Sequence, residues 1–255
     1  MALRHLGAIP VVGAMLALMY GCCNVKSPSV VPLPPDITGT WERYPDDWAG
    51  ADPDNPRPPG GAFDLHEPYA GAYAKLQKRK AAADAAGAPL VNASTRCLPE
   101  GMPTIMGGIY PLQIARSPGQ VIVLAEFLTQ TRRIWLDEKM PPPDEISPSY
   151  NGHSVGHWEG DTLVVETIGV RTDVSFYGVP HTADMRIIER IRKTALDMLE
   201  DRVVIDDPQV FKKPYAFTFQ YKQSDYRISE YFCENNQIVV DDEGKAHLNL
   251  GSNED

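Results

Sequence analysis

The sequence predicts a mainly β domain: an antiparallel up-and-down barrel with one N-terminal helix packed outside it, with a two-sheet sandwich as the runner-up. Three observations carry this. From residue 105 onward the chain breaks into short apolar runs cut by turn residues, which is the spacing of strands. The connections Glu159-Gly160-Asp161, Thr194-Ala195-Leu196-Asp197 and Gln223-Ser224-Asp225 have the length and polarity of hairpin turns. A meander of that many strands leaves open edges unless it closes on itself, so closure favours the barrel.

Composition supports a folded chain and narrows its partners. Hydrophobic content of 43% and charged content of 23% are globular values, which excludes a mostly disordered, fibrous or multi-pass membrane chain. A formal net charge of -10 repels phosphate backbones and gives nucleic acid no electrostatic footing.

Residues 1–21 have a cationic start at Arg4, an apolar run broken by Pro10 and small residues near the end, the layout of a secretory signal. The run is shorter than the roughly 20 residues of a membrane-spanning helix, so export is expected. The junction Ala17-Leu18-Met19-Tyr20-Gly21-Cys22 resembles the bacterial lipobox, in which Cys22 becomes the lipidated first residue. Ordinary cleavage to a soluble mature chain is the alternative. The expected address is therefore the periplasm, or the outer membrane through an anchor at Cys22. Residues 22–36 read as a Pro-rich tether, and residues 37–255 as a single β-rich domain. In an oxidising compartment Cys97 and Cys233 are expected to form a disulfide, with two buried free thiols as the alternative.

Within the domain, Gly39-Thr40-Trp41-Glu42 reads as a short first strand. A helix over 67–86 follows from its Ala, Lys, Leu and Gln content, with Tyr69, Tyr73 and Leu76 on one face and Gly87 as the stop. Eight further strands are expected over 120–128, 131–136, 153–158, 162–170, 185–193, 198–205, 215–222 and 226–233. The segment 139–151, with four prolines, is a loop.

Alternation along these strands selects the candidate residues. In 185–193, Glu189 shares a face with Met185, Ile187 and Ile191 while the arginines take the other. In 226–233, Glu230 shares a face with Tyr226, Ile228 and Phe232. A carboxylate turned into an apolar interior needs a counter-charge, a donor or water. It is then either an acid or base in a cavity or one half of an internal ion pair, with Arg132, Arg133 or Lys222 as the partner. Glu126 and Glu166 sit in runs apolar on both faces and are candidates to join them. His153, His157 and His181 lie beside the same strands, and His181 is the one expected at a cavity mouth. His153 and His157 are too far apart along an extended strand to share a metal, so no metal site is expected.

Gly152-His153-Ser154-Val155-Gly156 matches the G-x-S-x-G nucleophile elbow, with Ser154, Asp173 and His181 as the implied triad. Its context opposes that reading, because a Pro-rich loop precedes it and a strand pattern follows where a helix is required.

The string from Gly152 to Thr167, GHSVGHWEGDTLVVET, resembles the signature of a widespread family of exported bacterial proteins to which no reaction is assigned. Arg96-Cys97-Leu98-Pro99, Pro180-His181-Thr182, Ile188-Glu189-Arg190, Asp206-Asp207-Pro208 and Cys233-Glu234-Asn235 fit the same pattern. That resemblance implies export and a β-rich domain. Separately, Gly39-Thr40-Trp41 ahead of a meander is similar to the start of lipocalin-like (calycin) barrels, where Gly-x-Trp closes one end.

The expected function is a barrel that holds a small organic ligand in an apolar cavity lined by Ile187, Ile228, Phe232, Phe217 and Phe219. Glu189 and Glu230 would be its polar contacts, with Glu126, Glu166, His153 and Trp158 nearby. The alternative is an isomerase, lyase or hydrolase using Glu189 or Glu230 with His181. A solidly packed interior with capped acids would remove both. No cofactor is implied, and the partner is a small molecule rather than nucleic acid.

Overall fold

The computed structural model describes residues 35–45, 63–233, 238–240, 242–243 and 246–248. The expected signal, Cys22 and all but the end of the tether lie outside the described residues. Nine strands close a barrel in chain order: β1 (Gly39–Arg43), β2 (Leu112–Ser117), β3 (Gln120–Ala125), β4 (Gln130–Leu136), β5 (His153–Glu159), β6 (Thr162–Ile168), β7 (Arg186–Ala195), β8 (Met198–Asp206) and β9 (Tyr215–Ser224). A separate two-stranded sheet pairs β10 (Ile238–Val240) with β11 (Ala246–Leu248).

The barrel is not antiparallel throughout, and parity explains why. An odd number of strands that alternate in direction cannot close antiparallel at every seam. β1 runs antiparallel to both β2 and β9, so one parallel seam must fall elsewhere. It falls between β4 and β5, with Ile134 opposite Ser154 and Leu136 opposite Gly156. A parallel pair needs a long crossover, and the Pro-rich segment after Leu136 supplies it. The loop expected from its prolines is thus the connection that the parallel seam requires.

The first strand, seven of the other eight and the helix match elements of the structure; the last expected strand does not. Residues 226–233 are irregular, because Thr40–Ser224 and Trp41–Gln223 pairing already closes the barrel and leaves no edge for a further strand. The chain instead runs as a strap to the Cys97–Cys233 disulfide. Glu126 fixes the strap, accepting from the Tyr226 hydroxyl at 3.1 Å and the Ser229 amide at 2.9 Å. Tyr231 packs edge-on against Tyr110 and Phe127.

The helix α1 (Tyr69–Ala85) lies against the outside through its expected face. The Tyr73 ring meets Phe63 at 5.3 Å, and Leu76 packs where Gly178 leaves room. Its end is set by Gly87 at φ +69°, with the Ala88 amide donating back to the Ala83 carbonyl at 3.0 Å.

Alternation along β7 and β8 fills the interior with Ile187, Ile191, Leu199, Val203 and Ile205, all essentially buried. Trp41 is buried in the same interior, its Nε1 donating to the Ile37 carbonyl at 3.0 Å and its face meeting Lys193 at 5.5 Å. Met102, Ile105 and Met106 are buried, the Tyr221 hydroxyl donates to the Met106 carbonyl, and Gly107 presses on Phe219 so closely that a Cβ would come within 2.4 Å of the ring.

Candidate functional site

Five consecutive strands contribute buried polar side chains that meet inside: Arg132 from β4, Ser154 from β5, Thr167 from β6, Glu189 from β7 and Asp201 from β8. Glu189 is 0% exposed and Arg132 1%. Arg132 Nη1 donates to Glu189 Oε1 at 2.8 Å, and Nη2 donates to the other carboxylate oxygen. The remaining donors reach Ser154 Oγ at 3.2–3.3 Å and Thr167 Oγ1 at 3.1 Å, and the two hydroxyls bond each other at 2.7 Å. This is a bidentate ion pair with its spare donors satisfied, the arrangement that lets two charges persist away from water.

Asp201 differs. Among the described residues no donor group reaches either carboxylate oxygen, and the carboxyl stands within hydrogen-bonding reach of the Glu189 carboxylate. Burial, and then the negative charge of Glu189, push its pKa well above the usual carboxylate range.

The inward direction expected of Glu189 is what the structure has, but the carboxylate is gripped by Arg132. Glu230 is exposed on the strap, far from its expected inward position, because the strand that would have turned it inward does not form. Phe232, on the same strap, is 78% exposed, and Ile228 is half-buried there, so neither lines the interior. Ile187, Phe217 and Phe219 are inside but belong to the packed core and present almost no surface to a water-sized body. Glu166 points outward and pairs with Arg186. His153 and Trp158 are half-buried, each with one ring nitrogen buried and without a partner. The structure does not bring Glu189, Glu230 and His181 together.

The G-x-S-x-G match is explained by packing. Ser154 lies within β5 at 1% exposure and its hydroxyl belongs to the Arg132 network, while Asp173 is exposed and paired with Arg171 at 2.6–2.8 Å. Gly152 has φ +64°, and a Cβ there would stand 2.5 Å from the Ile168 carbonyl. At Gly156 a Cβ would stand 2.9 Å from Ile134. Both glycines are set by close approach of neighbouring strands.

A concavity lies outside the barrel, under the crossover. A groove of about 920 Å³ runs between Met140, Pro141, Ile146 and Pro148 on the loop and Ile168, Val170 and Met185 at the ends of β6 and β7. The loop is held by a parallel bridge: the Ser149 amide donates to Gly169 at 3.1 Å and the Arg171 amide to Ser149 at 3.0 Å. Gly169, at φ +71°, makes room for Ile146. The rim charges are already engaged: Arg171 with Asp173, Arg186 with Glu166, and Asp184 accepting from Gln209 at 2.6 Å. Hydrogen bonding to Arg171 holds the Asp173 carboxyl below its ordinary pKa. What is left for a ligand is mainly apolar wall.

Among the described residues no three His, Cys, Asp or Glu side chains cluster as metal ligands. Comparison with protein-family models, curated proteins and solved structures finds no match to the chain.

Proposed function

We propose that this chain is an exported binding protein that holds a small, largely apolar organic molecule in the groove between the Pro-rich crossover and the β6 and β7 ends. The observation that carries the reading is the groove itself. Its volume of about 920 Å³ falls in the range of small-molecule sites, and proline and aliphatic walls are rimmed by Arg171, Asp173, Asp184 and Arg186, whose charges are already engaged. The lipocalin-like reading is supported by the sequential strand order and by the buried Trp41 of the Gly-x-Trp run in β1. The filled interior argues for an outer seat for the ligand in place of the lipocalin cup. The signal-like layout of residues 1–21 and the Cys97–Cys233 disulfide support export, and Cys22 supplies the anchor if it is lipidated.

The test uses an uncharged fluorescent probe, N-phenyl-1-naphthylamine, with the wild type beside Ile146→Asp. Saturable enhancement that Ile146→Asp reduces by about tenfold in affinity supports the groove. No saturable binding, or equal binding by both proteins, overturns it.

A further inference from the structure

His181 lies between β6 and β7 and is 8% exposed. Its Nδ1 stands 2.8 Å from the Thr182 carbonyl, an acceptor, so Nδ1 carries the hydrogen. Thr182 is fixed in turn by the buried Asp207, which accepts from its amide at 2.6 Å and its hydroxyl at 3.1 Å. In the neutral ring this tautomer leaves a lone pair on Nε2, which is buried and has no partner. The residue lines a cavity of about 10 Å³, room for one water-sized body. Two methionines, Met102 and Met185, line the same cavity and are likewise buried. The other lining side chains are proline, aliphatic and aromatic, Phe176 and Phe211 among them.

A water seated there would want two to four polar partners, and the lining side chains offer one. The donor set, an imidazole nitrogen and two thioethers with no carboxylate, is soft. Hard cations require oxygen ligands, and a divalent ion with no anionic ligand would carry its full charge into an apolar wall. A monovalent ion has a quarter of that solvation demand, since the Born energy grows as the square of the charge, and aromatic faces attract it. We propose that His181 Nε2, Met102 Sδ and Met185 Sδ form a binding site for a soft monovalent cation, Cu(I) or its analogue Ag(I). Nδ1 bonded to Thr182, with Thr182 held by Asp207, fixes the ring so that Nε2 is the ligand atom, the usual role of an outer-shell partner.

The experiment is anaerobic competition for Cu(I) against bicinchoninate. It uses the full chain with Cys22 and Cys23 replaced by Ser, so that those thiols do not take the metal, in parallel with His181→Ala, Met102→Leu and Met185→Leu. Met→Leu conserves volume and is tolerated by cores, so these two variants keep the fold in which the claim is tested. The expected result is one equivalent of Cu(I) withdrawn, nitrogen and sulfur scatterers in its X-ray absorption, and affinity lowered about tenfold or more in each variant. Absence of uptake, uptake equal in all four proteins, or equal retention of Zn(II) overturns the proposal.

Discussion

Arg132 on β4 and Glu189 on β7 meet across the barrel interior in a two-nitrogen, two-oxygen pair, with two strands between them that each add a hydroxyl to the same guanidinium. The pair turns a sheet of alternating apolar residues into one whose interior contains a fixed charge register. Sliding β7 by one residue would carry Glu189 outside and leave Arg132 buried and alone.

Glu189→Gln removes the anion and keeps the shape. The arginine then remains buried without its counter-charge, so stability falls by about 3–5 kcal/mol, as is usual when one partner of a buried pair is lost. Urea denaturation of wild type and variant at pH 7 reads the difference directly. A gain in stability would mean that Glu189 is strained rather than paired, and would return the barrel interior to consideration as a site.

Asp201 has the opposite sign. Its pKa is raised in the folded state by burial and by the Glu189 charge, from an ordinary value of 3.8. Below that value both states hold the proton and nothing is lost. As pH climbs past it the unfolded chain releases its proton first, so native stability declines with pH, with a limiting slope of about 1.4 kcal/mol per unit. Asp201→Asn cannot titrate. It should be more stable than wild type at pH 7, with the advantage shrinking as pH is lowered toward 4. Denaturation midpoints that run parallel for the two proteins across that window would show that Asp201 is ionised in the folded chain.

The Cys97–Cys233 disulfide closes a loop over a sequence separation of 136 and ties the strap to the segment ahead of β2. In the chain-entropy account a loop of that order contributes about 5 kcal/mol. Cys97→Ser with Cys233→Ser should lower the thermal midpoint by roughly 10 °C or more. Protease should then cut first within 225–233, where Glu126 and the Tyr231 contacts alone would hold the strap. A midpoint unchanged on removing both cysteines would assign that anchoring to Glu126.

How much of this was legible in the sequence follows from how each residue makes its signal. Glu189 stood out because strict alternation along β7 isolates one charge on an apolar face. Asp201 gives the same signal, sharing a face of β8 with Leu199, Val203 and Ile205, so alternation applied to that strand would have found it. Glu230 carried a false version, since Tyr226, Ile228 and Phe232 mimic a buried face in a segment that closure had already excluded from the sheet. β2 escaped because Leu112 and Ile114 are its only large apolar residues before Ala115, Arg116 and Ser117. His181 was expected at a cavity mouth, but the groove and the identity of the His181 cavity's walls were not legible, because both depend on which distant segments the fold brings beside the crossover and the 102–106 turn.

Ser154 offers the last test, because motif and structure assign it different work. A nucleophilic serine must expose Oγ beside a base at a strand-to-helix turn. Here Oγ is buried within a strand, 2.7 Å from Thr167 and 3.2 Å from an arginine nitrogen. Ser154→Ala should therefore lower stability by about 1.5–3 kcal/mol, the range for a hydrogen bond to a charged group, because Arg132 loses an acceptor that water cannot replace. The folded wild type should remain unlabelled by a fluorophosphonate probe, which needs an activated hydroxyl. Stoichiometric labelling of wild type that Ser154→Ala abolishes would overturn the structural role and make the G-x-S-x-G match a working elbow.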